Sequence, residues 1–469
     1  MAAAETFDII ILGASGFTGK HVLKQALKFL NKNNFNSIAI AGRNPSKLTQ
    51  TLHWATRPDP PPSIPILVAD TTDPLSLRSL CQQTRLVLNC VGPFRLHGEP
   101  VVAACAETGC DYLDITGEAE FMDRVEIGYH EKGVKNGSLI VPACGFDCVP
   151  AEIGLLFHLK QWVGECLPNR VEAFLKVESE KKWVGECLPN RVEAFLKVES
   201  EKKVVGNFGT FESAVLAIAD LKEMRQRRDA QAIKRAKPVI PGPFPKGKTL
   251  EHQKKIGLWG ITLPSADATS VGKTFSVLTE NPNGLPGLNE SLETVEKRKV
   301  FWSSMKPVHF GVKLGSKSLL GIFGYIAFGI ILGLFGSFSF GRRLLLKYPS
   351  IFSLGGFSKN GPSEEEIESC SFKMWFVGHG FSSNEKLAAN GNSKPDMEVV
   401  TRITGPELGY VTTPIIMIQC ALIVLSQRNN LPNGGVYSPG IVFGSTDLQE
   451  RLQQNGISFD LVSKSKISS

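Results

Sequence analysis

The chain has 469 residues, 42% hydrophobic, 21% charged and 9% aromatic. That balance excludes a mainly disordered, collagen-like or disulfide-scaffold protein, and the length allows two or three domains with a large core. The 52 basic and 45 acidic residues leave a net charge of +7, unevenly spread. Residues 221–255 hold 11 basic and 3 acidic side chains, and residues 297–347 hold 9 basic and none acidic, so the rest of the chain is acidic overall. Two basic regions on an acidic body suit a local anionic partner. With few interleaved aromatics and no recognisable module, they do not suit nucleic acid.

The first residues, Met1–Thr6, carry an acid and no basic stretch, so neither a secretory signal nor a transit peptide is expected. Phe7–Leu12 reads as a buried strand that stops at a glycine turn, and residues 20–30 carry apolar side chains at helical spacing. Strands follow at 37–41, 64–69, 86–90 and 139–141. They alternate with helices at 47–53, 74–83, 101–108 and 150–159. This alternation predicts a doubly wound parallel sheet. Residues 162–182 and 183–203 are then identical, an exact repeat that reads as a recent duplication or an assembly error, and one copy is expected to be surplus to the fold. Downstream come a helix ending near Asp220, a basic Pro- and Gly-rich loop at 237–248, and Ser318–Phe340, 23 residues without a charge. A polar loop is expected at 384–395, a strand at 397–403, an apolar helix at 412–427 and a polar amphipathic helix at 448–455.

The chemistry-bearing motifs cluster at the C-terminal ends of the early strands. Gly13-Ala14-Ser15-Gly16-Phe17-Thr18-Gly19 lies between a strand and a helix, where glycines let the backbone approach a pyrophosphate held at the helix N-terminus. After the second strand the chain reads Ala41-Gly42-Arg43-Asn44, with no acid for a ribose 2′-hydroxyl. Arg43 therefore favours NADP(H) over NAD(H), the alternative being a solvated turn residue. Asp70 meets the adenine edge or caps its own loop. Asn89, Cys90, Gly92 and Pro93 end the fourth strand, where open α/β sheets place ligands. Tyr112, Asp114 and Asp147 are the candidate catalytic residues; capped turns would explain the same residues. The ten cysteines lack zinc spacing, Cys144 and Cys148 having no second pair, so reduced thiols and no metal are expected.

In this order and spacing, GASGFTG, AGRN, NCVGPF, YLDITGE and PACGFDCVPAEIG resemble the saccharopine dehydrogenase-like oxidoreductases, near the bacterial trans-acting enoyl reductases. The resemblance covers residues 7–159 and resumes at Gly409–Pro414. It implies a Rossmann-type domain over residues 1–160, a second α+β substrate or dimerisation domain over 161–405, and a segment, 406–469, returning to the first. It also implies nicotinamide-dependent reduction. The basic and apolar segments shift the expected substrate from saccharopine toward a hydrophobic, lipid-linked molecule, as in glycolipid biosynthesis, at an anionic membrane or lipid-droplet surface on its cytosolic side. A catalytically lapsed NAD(P)-binding scaffold is the alternative, and a saccharopine reductase the third reading. A homo-oligomer stays open. Ser318–Phe340 is expected to lie on the lipid surface without crossing it; as one helix it would be about 34 Å long, and its five glycines and basic flanks on both sides argue against a span. A buried helical pair is the other reading of that segment.

Overall fold

The computed structural model describes residues 6–30, 37–162, 188–219, 236–240, 248–262, 265–382 and 394–467. Its first half is a run of β1 (Phe7–Leu12), α1 (Phe17–Leu27), β2 (Ile38–Gly42), α2 (Pro45–Thr56), β3 (Ile66–Val68) and α3 (Pro74–Cys81). Then come β4 (Thr84–Asn89), α4 (Phe94–Thr108), β5 (Asp111–Asp114), α5 (Ala119–Asn136), β6 (Leu139–Val141) and α6 (Val149–Lys160). The strands form one parallel sheet in the order β6-β5-β4-β1-β2-β3, with Gly435–Val436 as a seventh strand beside β6. Helices cover both faces, which is why consecutive residues Ile9, Ile10 and Ile11 of the central strand are all fully buried. Local chemistry sets the helix ends. Asn44 and Asp73 accept N–H bonds from Lys47 and Leu75 with proline at the first helical position, and Gly109 (φ +81°) and Gly137 (φ +73°) close α4 and α5 in the left-handed region.

β5 and α5 are the elements of this sheet that pattern reading passes over. The Asp-Tyr-Leu-Asp strand has two buried acids, and it tolerates them because Arg428 pairs with Asp111 (2.7 Å) and the Tyr112 hydroxyl donates to Asp114 (2.8 Å).

A second seven-stranded sheet is mixed. It contains β7 (Leu188–Ser200), β8 (Leu250–Gln253), β9 (Leu258–Thr262), β10 (His309–Ser316), β11 (Cys370–Phe381), β12 (Met397–Pro406) and β13 (Ser458–Lys466), in the order β13-β12-β11-β7-β10-β9-β8. Only β7 and β10 run parallel. Its inner face, with Val192, Ala194, Phe372, Met374, Phe376 and Ile403, packs on α6 as part of the main core. A Cβ on Gly154 would collide with Ile403 and Phe376, so glycine there lets helix and sheet meet closely. β7 is the second copy of the repeat; the first copy beyond Trp162 lies outside the described residues. The loops expected at 237–248 and 384–395 lie largely outside them as well.

Among the further helices of this part are α7 (Phe208–Ala219), α8 (Ala266–Glu280), α9 (Leu319–Gly336) and α10 (Ser339–Lys347). Phe211 and Val215 of α7, Leu332 of α9 and Leu345 of α10 share one small core. The chain then returns to the first sheet as α11 (Thr413–Gln427), buried against α1 and β4, and α12 (Leu448–Gln454). The return is not complete: β13 adds to the second sheet beside β12, so the last strand belongs with the second unit rather than with the first. α9 and the segment containing α11 are both long and apolar enough to cross a membrane, but α11 is core whereas α9 exposes most of its surface.

Candidate active site

The ends of β1, β2, β4, β5 and β6 meet on one edge of the first sheet, and each turn there has a stated reason. Gly13 sits at φ +82°, and a Cβ on it would lie 2.7 Å from Val91; a Cβ on Gly19 would collide with the Gly13 carbonyl. Only glycine keeps this loop closed. α1 begins with Gly16 as an N-cap that offers no side-chain acceptor, and there is no acid in its first turn. Ser15 and Gly16 are exposed, Phe17 and Thr18 half-buried. Free N–H groups at an uncapped helix start suit a phosphate, so these residues fit a dinucleotide. Arg43 is exposed directly after β2, beside Asp70. Asp70 accepts from both the N–H and the hydroxyl of Thr72 (2.9 Å each), and those two bonds hold its carboxyl below the usual range. It therefore caps its own loop.

The fourth and fifth strands carry an internal polar chain. Asn89 is fully buried: its Oδ1 accepts from Val91 N–H (3.0 Å) and its Nδ2 donates to the Tyr112 hydroxyl (3.1 Å). The Tyr112 hydroxyl donates to Asp114, whose other oxygen accepts from the N–H groups of Thr116 (2.9 Å) and Ala143 (2.8 Å). Burial raises the Asp114 carboxyl to about 6 despite those bonds. Tyr112 and Asp114 are sealed from solvent, so the structure makes them positioning groups that join the ends of β4, β5 and β6. Gly92 is exposed, Pro93, joined to it by a cis peptide, is buried, and Cys90 is half-buried; burial pushes the Cys90 thiol up to about 12, which keeps it neutral.

Asp147 is different. Solvent reaches it although protein encloses it, as at the bottom of a cleft, and burial raises its carboxyl. It stands over Gly117, where a Cβ would collide with its carboxylate. The same enclosure holds Asp267, at the start of α8, raised to about 8 by burial and by the nearby Asp147 charge. Glu152 lies behind them and is raised to about 7 by burial, with Ser270, Thr274 (2.6 Å) and the Gly440 N–H as its partners. Pattern reading misses Asp267 and Glu152, because each is a single acid in an otherwise ordinary helix. Two contacts from outside the first half complete the site. Thr413 of the returning helix accepts from Phe146 N–H (3.1 Å), and the Tyr410 ring meets Phe17 edge-on at 4.7 Å.

Residues 9–141 match the family model described as the saccharopine dehydrogenase NADP binding domain. The chain is 59% identical to the probable mitochondrial saccharopine dehydrogenase-like oxidoreductase of Arabidopsis thaliana, over 98% of this chain and 97% of that protein. The chain belongs to the saccharopine dehydrogenase-like oxidoreductases. Within this family it is 27% identical to a protein of Caenorhabditis elegans named lipid droplet localized protein, over 98% and 99% of the two chains. Apo saccharopine dehydrogenase (L-Glu forming) from Saccharomyces cerevisiae shares the fold, with a TM-score of 0.50 at 12% identity, covering 97% of this chain and 100% of that one. The protein is thus an NAD(P)-dependent oxidoreductase with an NADP-binding first domain.

Proposed function

We propose that this saccharopine dehydrogenase-like oxidoreductase uses NADP(H) in preference to NAD(H) to reduce an uncharged, lipid-linked substrate presented at an anionic membrane or lipid-droplet surface. The observation that carries the reading is α9. It has 18 residues without a charged side chain, and it leaves Leu320, Phe323, Ile330 and Leu334 more than half exposed. Exposed apolar surface on this scale marks an interaction site. Phe340 of α10, and Ile351 and Leu354 just beyond it, extend the face, and Lys317, Arg343 and Lys347 border it. Cations there suit anionic headgroups at about 1 kcal/mol each.

This face adjoins the cleft through α7. The outer side of α7 packs on α9 and α10. From the same helix Ser213 donates to Glu118 (2.9 Å), which also accepts the Phe94 (2.9 Å) and Arg95 (3.0 Å) N–H groups at the start of α4. α7 thus sits between the apolar face and Glu118, whose neighbour Gly117 lies against Asp147. The cleft chemistry points the same way. Asp147 and Asp267 line it, while Arg95 is paired with Glu118 and Glu120, and Lys273 with Asp123 and Glu126. A polycarboxylate such as saccharopine would meet acids there.

When bound, the nicotinamide supplies the hydride. The neighbouring acids Asp147 and Asp267 can hold between them the proton that a reduced carbon or oxygen must also receive, Asp267 being raised to about 8, and Tyr112 and Asp114 keep the strand ends in register. The test is NADPH oxidation by the purified protein with enoyl, keto and imine lipids in anionic vesicles, and with saccharopine in solution. Turnover of a vesicle-held lipid alone is expected. Turnover of saccharopine would overturn the substrate class, and tight NADPH binding without any turnover would favour the lapsed scaffold. Cell fractions tested for the protein should include lipid droplets and mitochondria, since one relative is named mitochondrial and another lipid droplet localized.

A further inference from the structure

Three sulfurs distant in sequence meet inside the first domain. Cys81 is the last residue of α3, Cys105 lies in the last turn of α4, and Cys110 follows Gly109, whose left-handed turn (φ +81°) brings the chain back over the end of α4. All three are buried, and their sulfurs lie within 4.8 Å of one another, Cys81 and Cys105 at 3.5 Å. A metal about 2.3 Å from each of three thiolates needs sulfurs about 4 Å apart, so small movements would complete a trigonal set. The walls are apolar, with Leu77, Leu80, Val101 and Val102 in the same core. No other Cys, His, Asp or Glu ligand joins the group among the described residues.

We propose that Cys81, Cys105 and Cys110 form a three-thiolate site for one soft monovalent d10 cation of the cuprous class. Softness follows from an all-sulfur donor set. The missing fourth ligand disfavours zinc, whose structural sites are closed by four. Loading replaces thiol protons, which pass to solvent, and no electron is transferred.

The reduced protein, titrated without oxygen with cuprous ion held by bicinchoninate, should take up one equivalent and develop thiolate-to-copper absorption. Cys105→Ser should weaken uptake at least 100-fold, and Cys370→Ser, at a remote buried thiol, should leave it unchanged. If Cys105→Ser does not fold by circular dichroism, Cys105→Ala replaces it. Alkylation of the unmutated protein gives an independent reading: copper should protect Cys81, Cys105 and Cys110 in particular. No transfer from the chelator, equal loss in Cys370→Ser, protection of other cysteines instead, or tighter zinc than copper would each overturn the proposal.

Discussion

Along β1 of the first sheet Ile9, Ile10 and Ile11 point to opposite faces and are all buried, whereas along β7 of the second Val192 and Ala194 face the core and Glu193 and Lys197 turn away into ion pairs. The first sheet is sandwiched between helices and closes a cofactor edge made of backbone turns. The second packs one face on α6, carries a smaller buried cluster of Phe195, Val377 and Val400 on the other, and is flanked by α9, whose outer surface is apolar. Cofactor recognition is thus built from glycine geometry and fixed strand ends, while substrate selection falls to side chains that the second unit brings over that edge.

If that division of labour holds, variants on the two sides should fail in different ways. The largest effect is expected at Asp147, the enclosed acid where the two units meet. Asp147→Asn should lower kcat by about 10²- to 10⁴-fold while leaving NADPH affinity within a factor of about two, and stopped-flow traces with titration calorimetry would show the split. Equal loss of both would place Asp147 in the cofactor site. Next, Arg43→Ala should weaken NADPH by about 10- to 100-fold and NADH hardly at all, a charge-assisted bond being worth about 1.5–3 kcal/mol. Equal losses would return Arg43 to a solvated turn.

A smaller effect concerns Glu152. Its folded value, about 7, lies above the ordinary 4.5, so the native state keeps a proton that the unfolded state has lost across that window. Stability from this group is therefore present below about pH 4.5 and falls as pH rises to about 7. Glu152→Gln removes that fall. Between those pH values the variant should gain on the parent by up to about 3 kcal/mol in denaturant unfolding; a constant difference would contradict the raised value.

The cofactor sheet was legible because each of its signals is local: a buried apolar run before glycines, Pro45 and Pro74 at helix starts, Gly109 after a helix. β5 was not, since one of its acids, Asp111, is made tolerable by Arg428, 317 residues away. Asp267 carries no local signal either, and only the packing of α8 on α6 brings it to Asp147. Cys81, Cys105 and Cys110 have no metal spacing in sequence because a helix end and a left-handed turn, not a short motif, bring them together. The apolar stretch at 318–340 was plain in sequence. A helical pair was one reading of it, but the place of the break, at Gly336, was not legible, nor was the fact that α7 supports both helices.

The smallest effect expected is from the repeat. Trp162 and Leu188, which flank the undescribed 163–187, both stand against Gly380: a Cβ there would collide with Leu188 O and lie 2.8 Å from the Trp162 ring. One copy alone would leave four residues between equivalents of these two, enough to join them. Because the copies adjoin and are identical, deleting either gives the same chain. Deletion should raise stability by about 1–2 kcal/mol, because a shorter connection between Trp162 and Leu188 costs less closure entropy, with NADPH affinity unchanged; loss of folding would show both copies to be integral.

The measurement that bears most directly on the whole reading is vesicle flotation of the intact protein, with protease added from outside. The parent should float with anionic vesicles and far less with neutral ones, remain cleavable on both sides of α9, and lose flotation when Phe323 and Phe340 are both replaced by Asp. Recovery wholly in the soluble fraction would contradict the lipid surface, and protection of the chain beyond Lys347 alone would show that α9 crosses the membrane instead of lying on it.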